Sequence, residues 1–120
     1  MKLSEAERYI LELLWKHGEL SAQELSAALA KEVGWKRTTS YTMIERCCKK
    51  GYVQRRMPGY LCTALLSEEA VRQSETEELL RKNYSGSADL LVAALAGQRR
   101  LSLKQMEAVY RTLQEMEAKE

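Results

Sequence analysis

The chain is 120 residues long, enough for one ordinary domain or for a small domain with an appendage. It has no apolar run of membrane-spanning length and no signal-peptide pattern, so we expect a cytoplasmic protein without a membrane partner. The net charge of +2 excludes little by itself, but the three cysteines, an odd number, argue against a disulfide framework.

Two short helices are predicted at the start of the chain, each from a capping box. Ser4 and Ser21 are each followed three residues later by Glu, and the paired side chains of such a box satisfy free amides of the first turn. Apolar residues then recur at intervals of three or four positions, as on the buried face of a helix. Gly18 and Gly34 follow the last periodic residues and are natural helix stops.

Residues 36–60 carry the functional signal of the sequence, a polar and basic helix followed by a hairpin. The helix is expected to stop at Gly51, and the hairpin to turn at Pro58-Gly59. Residues 35–56 hold seven basic side chains and one acid, a net charge of +6 within a chain of +2. Such a locally basic surface is typical of a phosphate-binding face, although a solvated face without a ligand has the same composition. The apolar stripe that would hold this helix to its neighbours consists of Met43, Ile44, Cys47 and Ser40.

These elements predict a fold that is mainly α with a small β-hairpin wing. A polar, basic helix followed by a hairpin is the arrangement that a winged helix-turn-helix places against DNA. We therefore expect a winged helix-turn-helix N-terminal domain over residues 1–66 and a C-terminal helical dimerisation region over residues 67–120.

The C-terminal region has the composition of an association region. Residues 88–96 are predicted to form a helix that is apolar nearly all round and must be buried, and the helix after Ser102 has one apolar face. Three short helices cannot bury so much apolar surface alone, so a second copy of the chain is the simplest partner. The alternative is a monomer in which these helices fold back on the winged helix. The residues expected at the dimer contact are Leu90, Leu91, Leu95, Met106, Val109, Tyr110 and Leu113.

The chain resembles the penicillinase repressor family of bacterial transcription regulators, which includes the BlaI, MecI and CopY types. The residues that carry the resemblance are Ser4, Ala6, Glu7, Trp15, Trp35, Thr39, Thr42, Ile44, Arg46, Tyr84, Gly86 and the run Lys49-Lys50-Gly51-Tyr52-Val53. The resemblance covers nearly the whole chain and is most specific from the third helix to Gly51. It implies a homodimeric repressor whose winged helix reads the DNA major groove and whose C-terminal helices dimerise.

Side chains of the third helix are the candidates for reading a palindromic operator. Thr39, Thr42 and Arg46 lie at i, i+3 and i+7 on one helix face, and they match the DNA-facing positions of the family. Arginine can pair with guanine through two hydrogen bonds, and threonine can offer its methyl group to thymine. The expected base-reading residues are Thr38, Thr39, Tyr41, Thr42 and Arg46. The residues expected to contact phosphates are Lys36, Arg37, Lys49, Lys50, Arg55 and Arg56.

The chain departs from the family pattern at several positions. Thr38 and Tyr41 stand where the family commonly has basic or other polar residues, which allows a different operator, and Tyr41 can instead pack on the wing. The resemblance also implies release by an inducer, through proteolysis or a metal. Penicillin-responsive members are cut between Asn and Phe, where this chain has Ala94 and Leu95, and copper-responsive members carry C-terminal Cys-x-Cys pairs, which this chain lacks. An inducing protease or sensor protein is therefore an expected but unidentified partner.

Two other functions fit parts of the sequence. A winged helix can serve as a protein-interaction module that needs no DNA. Cys47, Cys48 and Cys62 could make the protein a thiol- or metal-sensing repressor, but adjacent helical residues point about 100° apart and chelate one metal poorly. Small buried side chains are the commoner meaning of such cysteines, and no metal site or cofactor is predicted. We expect no enzyme, because the sequence has a single histidine, no Gly-rich phosphate loop and no nucleophile motif.

Overall fold

The structure is a computed structural model that describes residues 2–120. Within these residues the elements in chain order are α1 (Glu5–His17), β1 (Glu19–Ser21), α2 (Ala22–Val33), α3 (Arg37–Lys49), β2 (Val53–Arg56), β3 (Leu61–Ala64), α4 (Glu68–Asn83), α5 (Ala88–Gly97) and α6 (Leu103–Ala118). No helix in this part of the chain is long and apolar enough to cross a membrane. The chain forms two compact units, Met1–Glu75 and Thr76–Glu120. The predicted domain boundary, after residue 66, falls just before α4, which begins in the first unit and ends in the second.

Local sequence signals set the ends of the helices as predicted. Ser4, Ser21 and Ser102 each form a complete capping box, in which the serine hydroxyl accepts from a backbone amide and the acidic or amide side chain three residues on accepts in return. Gly18 and Gly34 follow α1 and α2 with φ angles of 84° and 73°. Both angles lie in the region that favours glycine, which is why the helices end at these positions.

The wing belongs to a three-stranded antiparallel sheet in the order β1-β3-β2. The predicted hairpin is present, and β1 joins it through pairs such as Leu20 with Cys62. The sequence alone did not decide whether the residues after α1 form a connector or a strand. Gly59 has the positive φ angle predicted for it, 86°, and Tyr60 follows with φ 50°. The Met57–Pro58 peptide is cis.

The first unit has a closed hydrophobic core between α1, α2, α3 and the sheet. The buried apolar residues of this core are Ile10, Leu11, Leu13, Leu14, Ala22, Leu25, Leu29, Ile44, Cys47, Val53 and Cys62. The start of α4 is attached to the same unit, because Val71 is buried and the indole nitrogen of Trp15 donates to the Leu66 carbonyl at 2.7 Å. Of the predicted stripe, Ser40, Ile44 and Cys47 are buried and Met43 is half-buried, and the stripe fixes which side of α3 faces outward.

The second unit leaves its apolar side chains exposed. Residues 84–87 interrupt the helical path between α4 and α5, with positive φ angles at Ser85 and Gly86. Neither α5 nor α6 has a buried residue, although α5 is apolar on nearly all sides. The burial expected for this helix is therefore not achieved within one copy of the chain. Its exposed side chains, and those of α6, are Leu90, Val92, Leu103, Val109, Tyr110, Leu113 and Met116.

Candidate nucleic-acid interface

The outward face of α3 is polar along its whole length. Because Ser40, Ile44 and Cys47 point into the core, the residues between them are left on the opposite side. The exposed residues of this face are Thr38, Thr39, Thr42, Arg46 and Lys49. Four of the five residues predicted to read bases lie here, and the fifth, Tyr41, is half-buried.

Thr42 and Arg46 lie together in a shallow groove on this face. The Thr42 hydroxyl donates to the Thr38 carbonyl at 2.9 Å, so its proton is used inside the helix and its methyl group remains for an external contact. The Arg46 guanidinium is held only by a weak 3.9 Å contact with the Met43 sulfur. It forms no ion pair with residues 2–120, so its planar donor edge is available to a ligand.

The basic residues of the patch fall into two groups. Lys50 pairs with Glu7 at 2.7 Å, Arg56 pairs with Glu19 at 2.7 Å, and Arg55 pairs with Glu45. Four basic side chains of this patch make no ion pair with residues 2–120: Lys36, Arg37, Arg46 and Lys49. The uncompensated positive charge therefore lies along α3, and the wing arginines are neutralised by acids of the same chain.

Tyr41 joins α3 to the wing. Its ring meets the Tyr60 ring edge to face, with the centroids 6.2 Å apart, and the Arg37 guanidinium lies 5.3 Å from the centre of the Tyr41 ring. The sequence allowed either a DNA contact or packing on the wing for this residue, and the structure contains the packing. Arg37 is the first residue of α3, so this contact lies within the first two turns of the helix.

Glu45 is the centre of a second link between α3 and the wing. Its carboxylate accepts from the Tyr60 hydroxyl and from the Arg55 guanidinium, and Arg55 also lies over the Tyr60 ring at 4.6 Å. The Tyr60 hydroxyl, aided by the charge of Arg55, holds the pKa of Glu45 below its usual value. The sequence identified Glu45 only as the one acid of a basic stretch. No local pattern relates it to residues ten and fifteen positions further on.

Glu7 is a buried carboxylate that links the first turn of α1 to the end of α3. It completes the capping box with Ser4 and reaches the Lys50 ammonium at the end of α3. Burial by itself raises the pKa of Glu7, but the hydrogen bonds from Lys50 and Ser4 outweigh it, so the pKa lies below its usual value. The sequence identified the capping box and missed the partner 43 positions away.

The cysteines have the properties of core side chains. Cys47 and Cys62 are fully buried, and burial raises the pKa of Cys47 to about 12 and that of Cys62 to about 11. Burial also raises the pKa of the half-buried Cys48. Reactive thiols need a lowered pKa, so these three favour packing over thiol sensing. Within residues 2–120 no three His, Cys, Asp or Glu side chains are grouped to hold a metal.

The fold and the polar outward helix define a winged helix-turn-helix protein. Comparison with known families then gives its family: the model described as penicillinase repressor matches residues 3–115. The chain belongs to the penicillinase repressor family, which confirms the resemblance seen in the sequence. Membership of a family of repressors also confirms that the chain is a regulator and not an enzyme.

Individual relatives agree with this assignment. The penicillinase repressor of Bacillus licheniformis is 25% identical over 116 residues, which are 95% of this chain and 91% of the relative. The methicillin resistance regulatory protein MecI of Staphylococcus aureus is 23% identical over 108 residues, 88% of either chain.

Among solved structures, the DNA-binding domain of the repressor BlaI matches with 28% identity and a TM-score of 0.52, over 57% of this chain and 87% of that one. The YusO protein from Bacillus subtilis shares the fold at 20% identity and a TM-score of 0.50, over 97% of this chain and 76% of that one. These matches confirm the predicted fold, mainly α with a small β wing.

Proposed function

We propose that the chain is a DNA-binding transcriptional repressor of the bacterial cytoplasm, which binds a palindromic operator as a homodimer. The observation that carries the proposal is the outward face of α3, which is polar and exposed and carries Arg46 and Lys49 without an ion pair among residues 2–120. A helix so exposed on one side and buried on the other suits insertion into the major groove of DNA. The BlaI domain, which has this fold, is itself described as DNA-binding.

Base reading is assigned to the exposed middle of α3. Arg46 has a free guanidinium that can form two hydrogen bonds with guanine, and Thr42 has a free methyl group for thymine. Thr38 and Thr39 lie on the same face, one turn nearer the start of the helix. Tyr41 is the fifth residue assigned to base reading, and it lies on the side of α3 where its ring contacts Tyr60.

Phosphate contacts are assigned first to Lys36, Arg37 and Lys49, which form no ion pair within residues 2–120. Such contacts fix the register of the protein on the duplex without reading its sequence. Lys50 and Arg56, also expected at phosphates, would have to exchange an acid partner for DNA. Their contribution to affinity is correspondingly smaller, because breaking the internal pair offsets part of the gain.

The homodimer is supported by the exposed apolar faces of α5 and α6. In a monomer Leu90, Tyr110 and Leu113 are half or more exposed. The same apolar surface on a second copy of the chain is the simplest partner to cover them. Leu91, Leu95, Met106 and Val109 belong to the same proposed contact. Two copies would present two α3 helices, which suits an operator with two symmetric half-sites.

The DNA-binding proposal is tested with a duplex that the wild-type chain enriches from a random-sequence pool, compared with a scrambled duplex. Arg46→Ala should lose about 1–3 kcal/mol of preference for the enriched duplex. Lys49→Ala, the matched control, should weaken binding to both duplexes alike and make the salt dependence shallower by about one phosphate contact. If the wild-type chain enriches no sequence, specific readout is excluded and the protein-interaction module becomes the better explanation.

The dimer proposal is tested by placing a charge on the apolar face of α6. Leu113→Glu should raise the dimer dissociation constant by about a hundredfold or more, because the charge would be buried unpaired at the contact. Leu65→Glu is the control, since Leu65 is a similarly exposed leucine, 54% against 51%, in the first unit. Sedimentation across a range of concentrations measures both variants. A wild-type chain that stays monomeric at high concentration would rule out the dimer.

A further inference from the structure

We infer that Glu45 is a positioning residue that fixes the wing against the recognition helix, and that Arg55 belongs to this link rather than to the phosphate contacts. The inference rests on the proposed DNA-binding function. It concerns how the two DNA-facing parts of the first unit, α3 and the wing, keep a constant separation.

The contacts of Glu45 join α3 to the wing on the solvent side, outside the hydrophobic core that the two elements share. Glu45 lies on α3, Arg55 on β2, and Tyr60 in the loop just before β3. The carboxylate accepts from both wing side chains, and the Arg55 guanidinium donates to the Tyr60 hydroxyl at 2.5 Å. Each of the three groups therefore bonds to the other two. A closed triangle of this kind fixes direction as well as distance, because no member can turn without losing two bonds.

Aromatic contacts extend the same link toward the start of α3. Tyr60 meets Tyr41 edge to face, and the Arg55 guanidinium lies over the Tyr60 ring. Tyr60 therefore touches α3 at two points one turn apart, through its ring at Tyr41 and through its hydroxyl at Glu45. The loop that carries it has positive φ angles at Gly59 and Tyr60, which directs the Tyr60 side chain out of the regular strand path.

The position of Glu45 is otherwise unfavourable for a DNA-binding face. Its carboxylate lines the same groove as Thr42, Arg46 and Lys49, where it would repel phosphates. It also neutralises Arg55, which would otherwise attract them. An acid that lowers affinity for every sequence is understandable if it improves discrimination between sequences by holding the wing in one place.

The test compares Glu45→Gln, Tyr60→Phe and the control Glu32→Gln on the enriched and scrambled duplexes defined above. Glu32 is an exposed acid of α2 without an ion pair in residues 2–120, so its variant makes the same change of net charge away from the wing. Glu45→Gln should bind scrambled DNA more tightly, with a salt dependence steeper by about one phosphate contact as Arg55 is released. Its preference for the enriched duplex should fall about two- to fivefold, the range for losing an exposed charged pair.

Tyr60→Phe separates position from charge. The variant keeps the ring that packs on Tyr41 and changes no charge, but it removes the hydroxyl that bonds to Glu45. Its preference for the enriched duplex should fall while its salt dependence stays at the wild-type value. If Glu45→Gln and Tyr60→Phe both keep the wild-type preference, Glu45 merely adjusts net charge and the inference is wrong.

A measurement without DNA distinguishes this inference from the proposed function. Amide hydrogen exchange across residues 53–64 should be faster in Glu45→Gln than in the wild-type chain and unchanged in Glu32→Gln. Unchanged exchange in Glu45→Gln would overturn the inference even if the wild-type chain binds DNA specifically. Faster exchange in a chain that enriches no duplex would show that the link is real, that the proposed function is wrong, and that the link does not serve DNA discrimination.

Discussion

The two units of the chain expose opposite kinds of surface. In Met1–Glu75 most large apolar side chains pack into a buried core, with Met57 and Leu65 as exposed exceptions, and the outward face of α3 is polar and cationic. In Thr76–Glu120 no residue of α5 or α6 is buried, and leucine, valine, methionine and tyrosine face outward. The first unit has a hydrophobic core of its own. The second unit has no such core, because its own helices bury no residue of α5 or α6.

This difference separates the two requirements of a symmetric repressor. The surface that would meet DNA must stay polar and free, so its helix is held by a narrow stripe of small and medium side chains such as Ser40 and Cys47. The surface that would meet another copy must be apolar and broad, so it cannot be satisfied locally. The kind of side chain that each unit leaves exposed thus indicates the kind of partner that it would bind.

The largest expected effect comes from truncating equivalent leucines in the two units. Leu29→Ala should cost about 2–5 kcal/mol of the free energy of unfolding, because Leu29 is fully buried and the substitution leaves a cavity. Leu113→Ala should cost no more than about 0.5 kcal/mol in a dilute, monomeric sample, because half of its surface is already in water. Urea unfolding at micromolar concentration measures both variants. Equal losses at low concentration would show that the second unit has a core of its own.

A smaller effect is expected from Glu7→Gln, which tests the electrostatic closure of the first unit. We expect a loss of about 1.5–3 kcal/mol at pH 7, the range for hydrogen bonds to charged groups, nearer the lower end because Lys50 is partly exposed. The folded-state pKa of Glu7 is lowered, so its stabilisation is present above the usual glutamate pKa and is lost as the pH falls. The difference between variant and wild type should therefore shrink in urea unfolding at pH 3.

Glu24→Gln provides the matched control for this pair. Glu24 completes the capping box of α2 as Glu7 does that of α1, but it is exposed and forms no ion pair within the described residues. Its variant should lose less stability than Glu7→Gln at pH 7. Identical losses would assign the whole effect of Glu7 to its capping box and none to Lys50.

The residues involved in these tests show which features a sequence can reveal. Capping boxes at Ser4, Ser21 and Ser102 span three residues, so the pattern and the structure are tied by local geometry alone. The outward face of α3 was likewise predictable, because a helix with few apolar positions has only one way to face its core. For α5 the composition predicted burial, because the helix is apolar on nearly all sides, but the structure buries none of its residues.

Pairings between distant positions were not predictable in the same way. Lys50, Arg55 and Arg56 all looked like phosphate contacts, because a basic residue carries no local mark of the acid that it will meet. Their partners lie 43, 10 and 37 positions away and are brought near only by the packing of helices and strands. The same holds for β1, whose three residues become a strand only by pairing with β3.

The two units should also differ in how they respond to the loss of a helix cap. Ser21→Ala and Ser102→Ala remove the same hydroxyl from the same kind of box, at a typical cost of about 0.5–2 kcal/mol each. Faster amide exchange in α2 of Ser21→Ala should be independent of protein concentration. Faster exchange in α6 of Ser102→Ala should be largest in dilute samples and diminish as dimer forms, because association stabilises the bound state by mass action. An exchange rate in α6 that does not change with protein concentration would contradict the proposed dimer.

The smallest effect is a gain, expected from Ser40→Ala on the buried side of α3. Ser40 is fully buried, and its hydroxyl has no hydrogen-bond partner in residues 2–120. A buried, unpaired hydroxyl is destabilising, and alanine is the better helix former, so the variant should be more stable by up to about 1 kcal/mol.

The position needs a small side chain rather than a polar one, because α3 packs closely on its neighbours here. Ser40→Val should therefore lose stability, since the added methyl groups would overpack the contact. Urea unfolding compares both with Thr39→Ala, an exposed neighbour expected to change stability by less than about 0.5 kcal/mol. A loss of stability in Ser40→Ala would mean that the hydroxyl finds a partner in solution and stabilises the buried side of α3.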